Sequence, residues 1–192
     1  MRGYPLNLIL NDRKCVVIGG GPEATSRAGN LLEAGADVLL VAEPAPASLA
    51  SLASPRLRVE RRAFRETDLD DAWLVVQVSS DTALAARLAA LCNARRIFFC
   101  AVDQPKLSSY SHLALARAGS LTLAIGTDGR APALGRRLRE ELSRVLLESH
   151  ADDEVERLAR LREQTPSEQR REVLSSAVAD VQLTGGLRFR KE

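Results

Sequence analysis

Residues 15–42 read CVVIGGGPEATSRAGNLLEAGADVLLVA, and this stretch decides the fold class. It begins with an uncharged, β-branched run at residues 15–18, which is typical of a buried strand in a parallel sheet. Apolar residues then recur at helical spacing over residues 23–34, and a second apolar run follows at residues 38–42. The order of strand, glycine-rich turn, helix and strand predicts an α/β protein with a Rossmann-type, doubly wound parallel sheet.

The glycine-rich turn matches the pattern G-x-G-x-x-G/A at Gly19, Gly21 and Ala24. In that pattern the first glycine permits the tight turn, the second admits a pyrophosphate to the backbone, and the small third residue lets helix and strand pack. Pro22 suits a helix start, because its missing N–H would be unpaired there. The predicted cofactor-binding residues of this turn are Gly19, Gly20, Gly21, Pro22, Glu23 and Ala24.

An acidic residue follows the second apolar run, as expected for a dinucleotide site. Glu43 lies 24 residues after Gly19, close to where an acid receives the ribose hydroxyls of NAD. Its charge would repel the 2′-phosphate of NADP, which favours NAD as the cofactor. The alternative is a glycine-rich turn in another doubly wound fold, with Glu43 as a solvated loop charge.

Polar side chains follow the next two apolar runs of the chain. Residues 72–78 predict a buried strand, and Ser79 and Ser80 after it are candidates for cofactor contact or, equally, for capping the next helix. Residues 97–102 predict a further core strand, which delivers Asp103 to the same sheet edge as the glycine turn. From its position alone, Asp103 is either a turn former or an acid–base group.

The remaining segments carry weaker patterns. Residues 4–10 predict a strand or edge segment, residues 47–53 a brief helix, and residues 113–118 a helix. Arginines and acids between residues 58 and 71 alternate closely, which favours a solvated charged face. A long amphipathic helix is predicted from Pro132, followed by a charged helical tail and a frayed end at residues 187–192.

Composition limits the classes of partner. The chain of 192 residues has 27 basic and 25 acidic residues and 4% aromatic residues, which argues against a nucleic-acid-binding surface. No apolar run approaches the roughly 18 residues of a membrane span, and the N-terminal residues lack the apolar region of a secretory signal. Three scattered cysteines indicate buried thiols in a reducing cytoplasm. Two histidines and no cysteine cluster predict no metal site.

Several motifs together resemble one family, the N-terminal module of siroheme synthase, which comprises precorrin-2 dehydrogenase and sirohydrochlorin ferrochelatase. The resemblance covers nearly all of residues 1–150. Its most specific parts are the glycine turn with residues 31–36, the run VDQPK at residues 102–106 with Ser109 and Tyr110, and TDGRAPAL at residues 127–134. Residues 151–192 match only as a helical tail.

The resemblance implies an NAD-binding Rossmann domain at residues 1–110, a dimerisation segment at 111–149 and a helical tail domain at 150–192. It implies NAD-dependent oxidation of precorrin-2 to sirohydrochlorin, with ferrous iron insertion in bifunctional members, by a homodimer. Asp103 occupies the position of the family's acid–base residue. The alternatives are a dehydrogenase without chelatase activity and a noncatalytic protein that binds NAD or a tetrapyrrole.

Such a substrate carries many carboxylates, which cations and hydroxyl groups bind. The candidates for substrate binding are Lys106, Thr127, Arg130, Arg136 and Arg137. For the lysine and arginines, an equally good interpretation is a solvated helix face.

Overall fold

The computed structural model describes residues 3–44 and 52–184. The chain divides into two compact units, Met1–His112 and Leu113–Glu192. The first unit contains the predicted nucleotide-binding domain and residues 111–112 of the predicted dimerisation segment, and the second contains the rest of that segment and the helical tail. Most of the helix predicted at residues 47–53, and the frayed end at residues 187–192, lie outside the described residues.

The first unit is built on a five-stranded parallel sheet with the strand order β3-β2-β1-β4-β5. Its strands are β1 (Lys14–Ile18), β2 (Asp37–Val41), β3 (Leu57–Glu60), β4 (Ala72–Gln77) and β5 (Phe98–Ala101). Helix α1 (Gly21–Glu33) connects β1 to β2, and α2 (Thr82–Arg95) connects β4 to β5. This topology confirms the predicted Rossmann-type sheet.

Alternate residues of β1 enter different apolar clusters, as expected for a strand covered on both faces. Cys15 and Val17 lie in the cluster that contains Ala28 and Leu31 of α1. Val16 and Ile18 lie in the cluster that contains residues of α2. β1 is therefore the central strand of the core, and its buried end leads directly into the glycine turn.

The predicted strand at residues 4–10 is wrong, because this segment forms no strand in the structure. Leu8 and Leu10 instead pack onto the apolar cluster on the α1 side of the sheet. Tyr4 remains 89% exposed. The apolar pattern of this segment therefore reflects packing against the core, not pairing with a strand at the edge of the sheet.

The charged stretch between residues 58 and 71 contains an ion pair whose carboxylate is buried, which the prediction of a solvated face missed. Asp68 is 4% exposed and accepts two hydrogen bonds from Arg62, at 2.7 and 2.8 Å, and one from the Arg65 backbone N–H at 2.8 Å. Burial alone would raise the pKa of Asp68, but these hydrogen bonds outweigh burial and lower it. This ion pair fixes the chain between β3 and β4.

The described part of the second unit contains an antiparallel hairpin and three helices. The hairpin pairs β6 (Ala114–Ala118) with β7 (Leu121–Ile125). The helices are α3 (Pro132–Glu148), α4 (Ala151–Gln164) and α5 (Arg170–Ala177). In the described part of the chain, no helix combines the length and apolar character needed to cross a membrane.

The helix predicted at residues 113–118 is wrong, because β6 occupies this segment. Alanine, leucine and arginine all favour helices, which explains the prediction. Ala116 and Ala118, however, are buried at alternate positions and pair with Leu123 and Leu121 of β7. Pairing across the hairpin outweighs local helix propensity here.

Candidate functional site

The loops predicted to bind the cofactor and to carry the catalytic residue all begin at the carboxyl ends of neighbouring strands. The last residues of these strands are in register. Register places Ile18 opposite both Val41 and Gln77, and Gln77 opposite Ala101. Three backbone hydrogen bonds of 2.9 Å extend the ladder one residue further: Gly19 N–H to Val41, Val78 N–H to Ile18, and Val102 N–H to Gln77. In parallel α/β sheets this edge forms the ligand-binding crevice.

Gly19 and Gly21 serve different purposes in the glycine turn. A Cβ on Gly19, where φ is +114°, would lie 2.9 Å from Val78 Cγ2 and 3.0 Å from the Ser79 backbone nitrogen. A Cβ on Gly21, where φ is +84°, would meet no described atom within 4 Å. Gly19 is thus required by close packing within the fold, whereas Gly21 leaves open space beside the start of α1.

The first turn of α1 has no capping side chain, so among the described residues no side chain pairs with its first backbone N–H groups. Gly20 is the N-cap with extended backbone, and Pro22 lies in the first turn. Glu23 accepts a hydrogen bond of 2.8 Å from Arg27, so its carboxylate is already paired on the helix surface. Ala24 is fully buried, which gives the close helix–strand packing predicted for the third position of the motif. The backbone N–H groups here suit a phosphate.

Glu43 lies two residues beyond the end of β2 and is exposed. Because β2 is the neighbour of β1, its carboxyl end reaches the same sheet edge as the glycine turn. This is the location expected for a residue that binds the adenosine ribose.

The turn after β4 does not use Ser79 or Ser80 as a helix cap. Asp81 caps α2, since its Oδ1 accepts a hydrogen bond of 2.9 Å from the Leu84 N–H. Ser79 Oγ instead accepts a hydrogen bond of 2.5 Å from Gln77 Nε2, and Ser80 is exposed. The capping interpretation of the two serines is therefore wrong, and both stay candidates for cofactor contact.

Gln77 is a residue that the sequence analysis missed. Its side chain is fully buried, and its Nε2 also donates to the backbone oxygens of Ser79 at 2.7 Å and Asp81 at 3.4 Å. Its Oε1 has no hydrogen-bond partner among the described residues. Gln77 thereby holds the turn that presents Ser79. The signal was a single amide inside an otherwise apolar run of residues 72–78.

Asp103 lies in the turn that follows β5 and is exposed. Its φ is +60°, and a hydrogen bond of 3.1 Å from the Gln104 N–H to the Ala101 oxygen closes the turn. Aspartate tolerates this backbone conformation better than most residues. Asp103 therefore forms the turn and also presents a carboxylate at the sheet edge, so the two interpretations left open by its position are compatible.

On the α1 side of β5, the Cys100 thiol and the Tyr110 hydroxyl both have pKa values raised by burial, so neither is suited to acid–base chemistry. Cys100 is a free, buried thiol whose pKa is raised by burial, which confirms the prediction of a core cysteine. The Tyr110 ring makes edge contacts with Phe98 and His112, at centroid distances of 6.5 and 5.2 Å. Burial raises the pKa of its hydroxyl, which has no hydrogen-bond partner among the described residues.

The candidates for substrate binding fall in different units. Lys106 is exposed in a 3₁₀ turn (Pro105–Leu107) of the first unit. Thr127 belongs to the second unit, where its Oγ1 accepts a hydrogen bond of 3.3 Å from the Ala131 N–H. Arg130, Arg136 and Arg137 of the same unit are exposed, and Arg137 forms ion pairs with acids on α3.

Comparison with known proteins agrees with the geometry of the sheet edge. Residues 6–112, more than half of the chain, match a family model described as "Putative NAD(P)-binding". The chain belongs to this NAD(P)-binding family. The match to the NAD(P)-binding family coincides with the first unit and includes the glycine turn and the loops of Ser79 and Asp103.

Similar proteins are siroheme synthase from Escherichia coli (strain K12 / DH10B) and siroheme synthase 2 from Cronobacter sakazakii, each 35% identical over 147 residues. The aligned part is 76% of this chain and 32% of each relative, so the chain spans about a third of their length. The solved structure "SirC, precorrin-2 dehydrogenase" matches with a TM-score of 0.74 at 27% identity, over 93% of this chain and 90% of that chain. The predicted resemblance to the N-terminal module of siroheme synthase is confirmed.

Proposed function

We propose that this protein is an NAD-dependent precorrin-2 dehydrogenase, which oxidises precorrin-2 to sirohydrochlorin in siroheme biosynthesis. The observation that carries the proposal is the delivery of Asp103 by β5 to the sheet edge that also bears the glycine turn. The activity named for the matching solved structure supports the same reaction.

The reaction removes a hydride and a proton from the tetrapyrrole. NAD, when bound, supplies the acceptor for the hydride. The carboxylate of Asp103 accepts the proton, which requires it to lie within hydrogen-bond reach of the reacting position, about 3 Å. An exposed carboxylate at the crevice edge is suited to this task, because it can release the proton to water after each turnover.

The cofactor's proposed contacts follow the sheet edge. The open space at Gly21 and the N–H groups at the start of α1 take the pyrophosphate. Glu43 binds the ribose hydroxyls and selects NAD over NADP, because its charge repels a 2′-phosphate. Ser79 and Ser80 contact the cofactor from the turn after β4.

The carboxylates of the tetrapyrrole are the proposed partners of Lys106, Thr127, Arg130, Arg136 and Arg137. Arginine suits this role because its planar guanidinium binds a carboxylate with two hydrogen bonds. Arg137 already pairs with Glu140 and Glu141, so substrate must replace these partners.

We also propose that the protein is a homodimer that works in the cytoplasm. The second unit leaves large apolar side chains exposed, including Leu115, Leu123 and Leu134. A second copy of the predicted dimerisation segment would cover them. The three free, buried cysteines suit a reducing compartment.

The test is an anaerobic absorbance time course of precorrin-2 with the purified full chain, with and without NAD. The proposal predicts that the spectrum of sirohydrochlorin develops only when NAD is present. If NAD binds but precorrin-2 stays unchanged, the proposal fails and a noncatalytic binding protein becomes the better account. Ferrous iron, added after the oxidation is complete, tests the second activity that the resemblance implies.

A further inference from the structure

The loop that carries Asp103 is held by a hydroxyl group from further along the chain. Ser108 Oγ accepts a hydrogen bond of 3.0 Å from the Ala101 N–H. The same hydroxyl can donate to the oxygen of Gln104 at 3.1 Å or of Ala101 at 3.3 Å. Ser108 therefore contacts the residues at both ends of the turn in which Asp103 lies.

This contact matters because the turn holds a non-glycine residue in the left-handed region. Asp103 has a φ of +60°, which aspartate tolerates better than most residues but which still depends on support from the surrounding structure. On one side the turn is fixed by the Val102 N–H, which donates to the Gln77 oxygen at 2.9 Å. On the other side, the Gln104 oxygen accepts hydrogen bonds of 3.1 Å from the Leu107 N–H and from Ser108 Oγ.

We propose that Ser108 is a positioning residue for Asp103, which holds the turn of residues 101–104 so that the carboxylate keeps its place at the crevice edge. The inference rests on the proposed function, because it assigns Ser108 a part in the same reaction. In this role Ser108 acts only through Asp103 and does not itself contact substrate or cofactor.

The next residue provides a matched control. Ser109 Oγ accepts a hydrogen bond of 2.8 Å from the Phe99 N–H, and the Ser109 N–H donates to the Phe99 oxygen at 2.8 Å. Both serines thus satisfy backbone groups of the edge strand β5. Of the two hydroxyls, that of Ser108 reaches the Asp103 turn, whereas the contacts of Ser109 end at Phe99.

The first experiment compares Ser108→Ala, Ser109→Ala and Ser108→Thr in the full chain with precorrin-2 and NAD. We expect Ser108→Ala to lower kcat by about 10- to 100-fold while the Kd for NAD stays unchanged, because misplacement of a reacting group by about 1 Å has effects of this size. Ser109→Ala should keep kcat within about threefold of the wild type, and Ser108→Thr, which retains the hydroxyl, should restore it to the same range. Equal losses of kcat in the two alanine variants would overturn the inference.

A double variant separates positioning from general stability. If Ser108 acts through Asp103, adding Ser108→Ala to Asp103→Asn should cause no further loss of single-turnover rate. A further loss equal to that of Ser108→Ala alone would contradict the inference.

Amide hydrogen exchange distinguishes failure of this inference from failure of the proposed function. Peptides covering residues 101–108 should exchange about tenfold faster in Ser108→Ala than in Ser109→Ala. Unchanged exchange overturns the role of Ser108 whatever the activity. If exchange is faster in Ser108→Ala but the wild type does not oxidise precorrin-2, the proposed function is overturned. The catalytic part of the inference then fails with it.

Discussion

The two units of the chain bury apolar side chains to very different extents. In the part of the second unit that the structure describes, Ala116 and Ala118 are the buried hydrophobic residues, and all others in the described chain belong to the first unit. The first unit has a core on each face of its sheet. Its fold is therefore supported by its own packing, and this rigid support positions the loops at the sheet edge.

In the second unit, the large side chains that would normally form a core are left in contact with solvent. Leu115, Leu123 and Leu134 are 37%, 36% and 38% exposed, and Leu147 is 63% exposed. These exposed side chains favour the proposed association with a second copy of the chain. From this difference we expect cofactor binding to depend on the core of the first unit. We expect the stability of the second unit to depend on its association with a second copy of the chain.

The largest expected effect on stability lies in the glycine turn of the first unit. Gly19→Ala should destabilise the protein by about 3 kcal/mol, because the added Cβ meets the turn after β4 at a φ that alanine avoids. Gly21→Ala should cost only about 1 kcal/mol, since its Cβ enters open space, but should weaken NAD binding. Urea unfolding and NAD titration of both variants provide the check. Equal destabilisation would show that Gly19 has no special packing role.

The ion pair of Arg62 and Asp68 gives the next largest effect on stability. Asp68→Asn should destabilise the first unit by about 2 kcal/mol, because Arg62 loses one of its two carboxylate partners and keeps only Glu60 at 3.3 Å. The pKa of Asp68 is lowered in the folded protein, so the stabilisation is present above the ordinary carboxyl pKa and is lost as the pH falls through the lower folded value.

The measurement is the free energy of unfolding of wild type and Asp68→Asn across pH. The difference should be constant above about pH 5 and shrink below about pH 3.9. A difference that grows on acidification would mean that Asp68 is not stabilised as a carboxylate.

The sequence predicts the first unit well because local pattern and tertiary structure agree there. Apolar runs around Val17 and Val75 are buried strands, and the glycine pattern is the start of α1, as predicted. Asp103 reaches the predicted sheet edge because parallel strands end on one side.

The rest of the site depends on contacts that no local pattern encodes. Gln77 and Ser108 act through hydrogen bonds to backbone groups of neighbouring turns, and Asp68 is buried by a partner six residues away. β6 was predicted as a helix because its residues favour helices, while its actual state is set by pairing with β7. Such features arise only when the chain has folded back on itself.

A substitution in the second unit should change association without affecting the first unit. Leu123→Glu should weaken the proposed homodimer by at least about 100-fold in Kd, because a charge would be buried at the interface. The stability of the first unit should change by less than about 0.5 kcal/mol. Arg144→Ala, on the charged side of α3 beside Glu141, is the control. Sedimentation velocity gives the answer, and a dimer unaffected by Leu123→Glu would contradict this interface.

The smallest effect is expected at the thiols of the first unit. Burial raises the pKa of Cys15 to about 12 and that of Cys92 to about 11, and it also raises that of Cys100. At about pH 8 all three should stay protonated and react with a disulfide reagent only as fast as the first unit opens. Rapid labelling of one thiol in the native protein would reveal a local opening of the core.

The most direct test of the account measures binding and chemistry separately in Asp103→Asn. The central claim is that the glycine turn binds NAD while the turn after β5 supplies the base. We expect the Kd for NAD to stay within about twofold of the wild type, while the single-turnover rate of NADH formation from precorrin-2 falls by about 100- to 10,000-fold. An unchanged rate in Asp103→Asn, with NAD still bound, would contradict the claim.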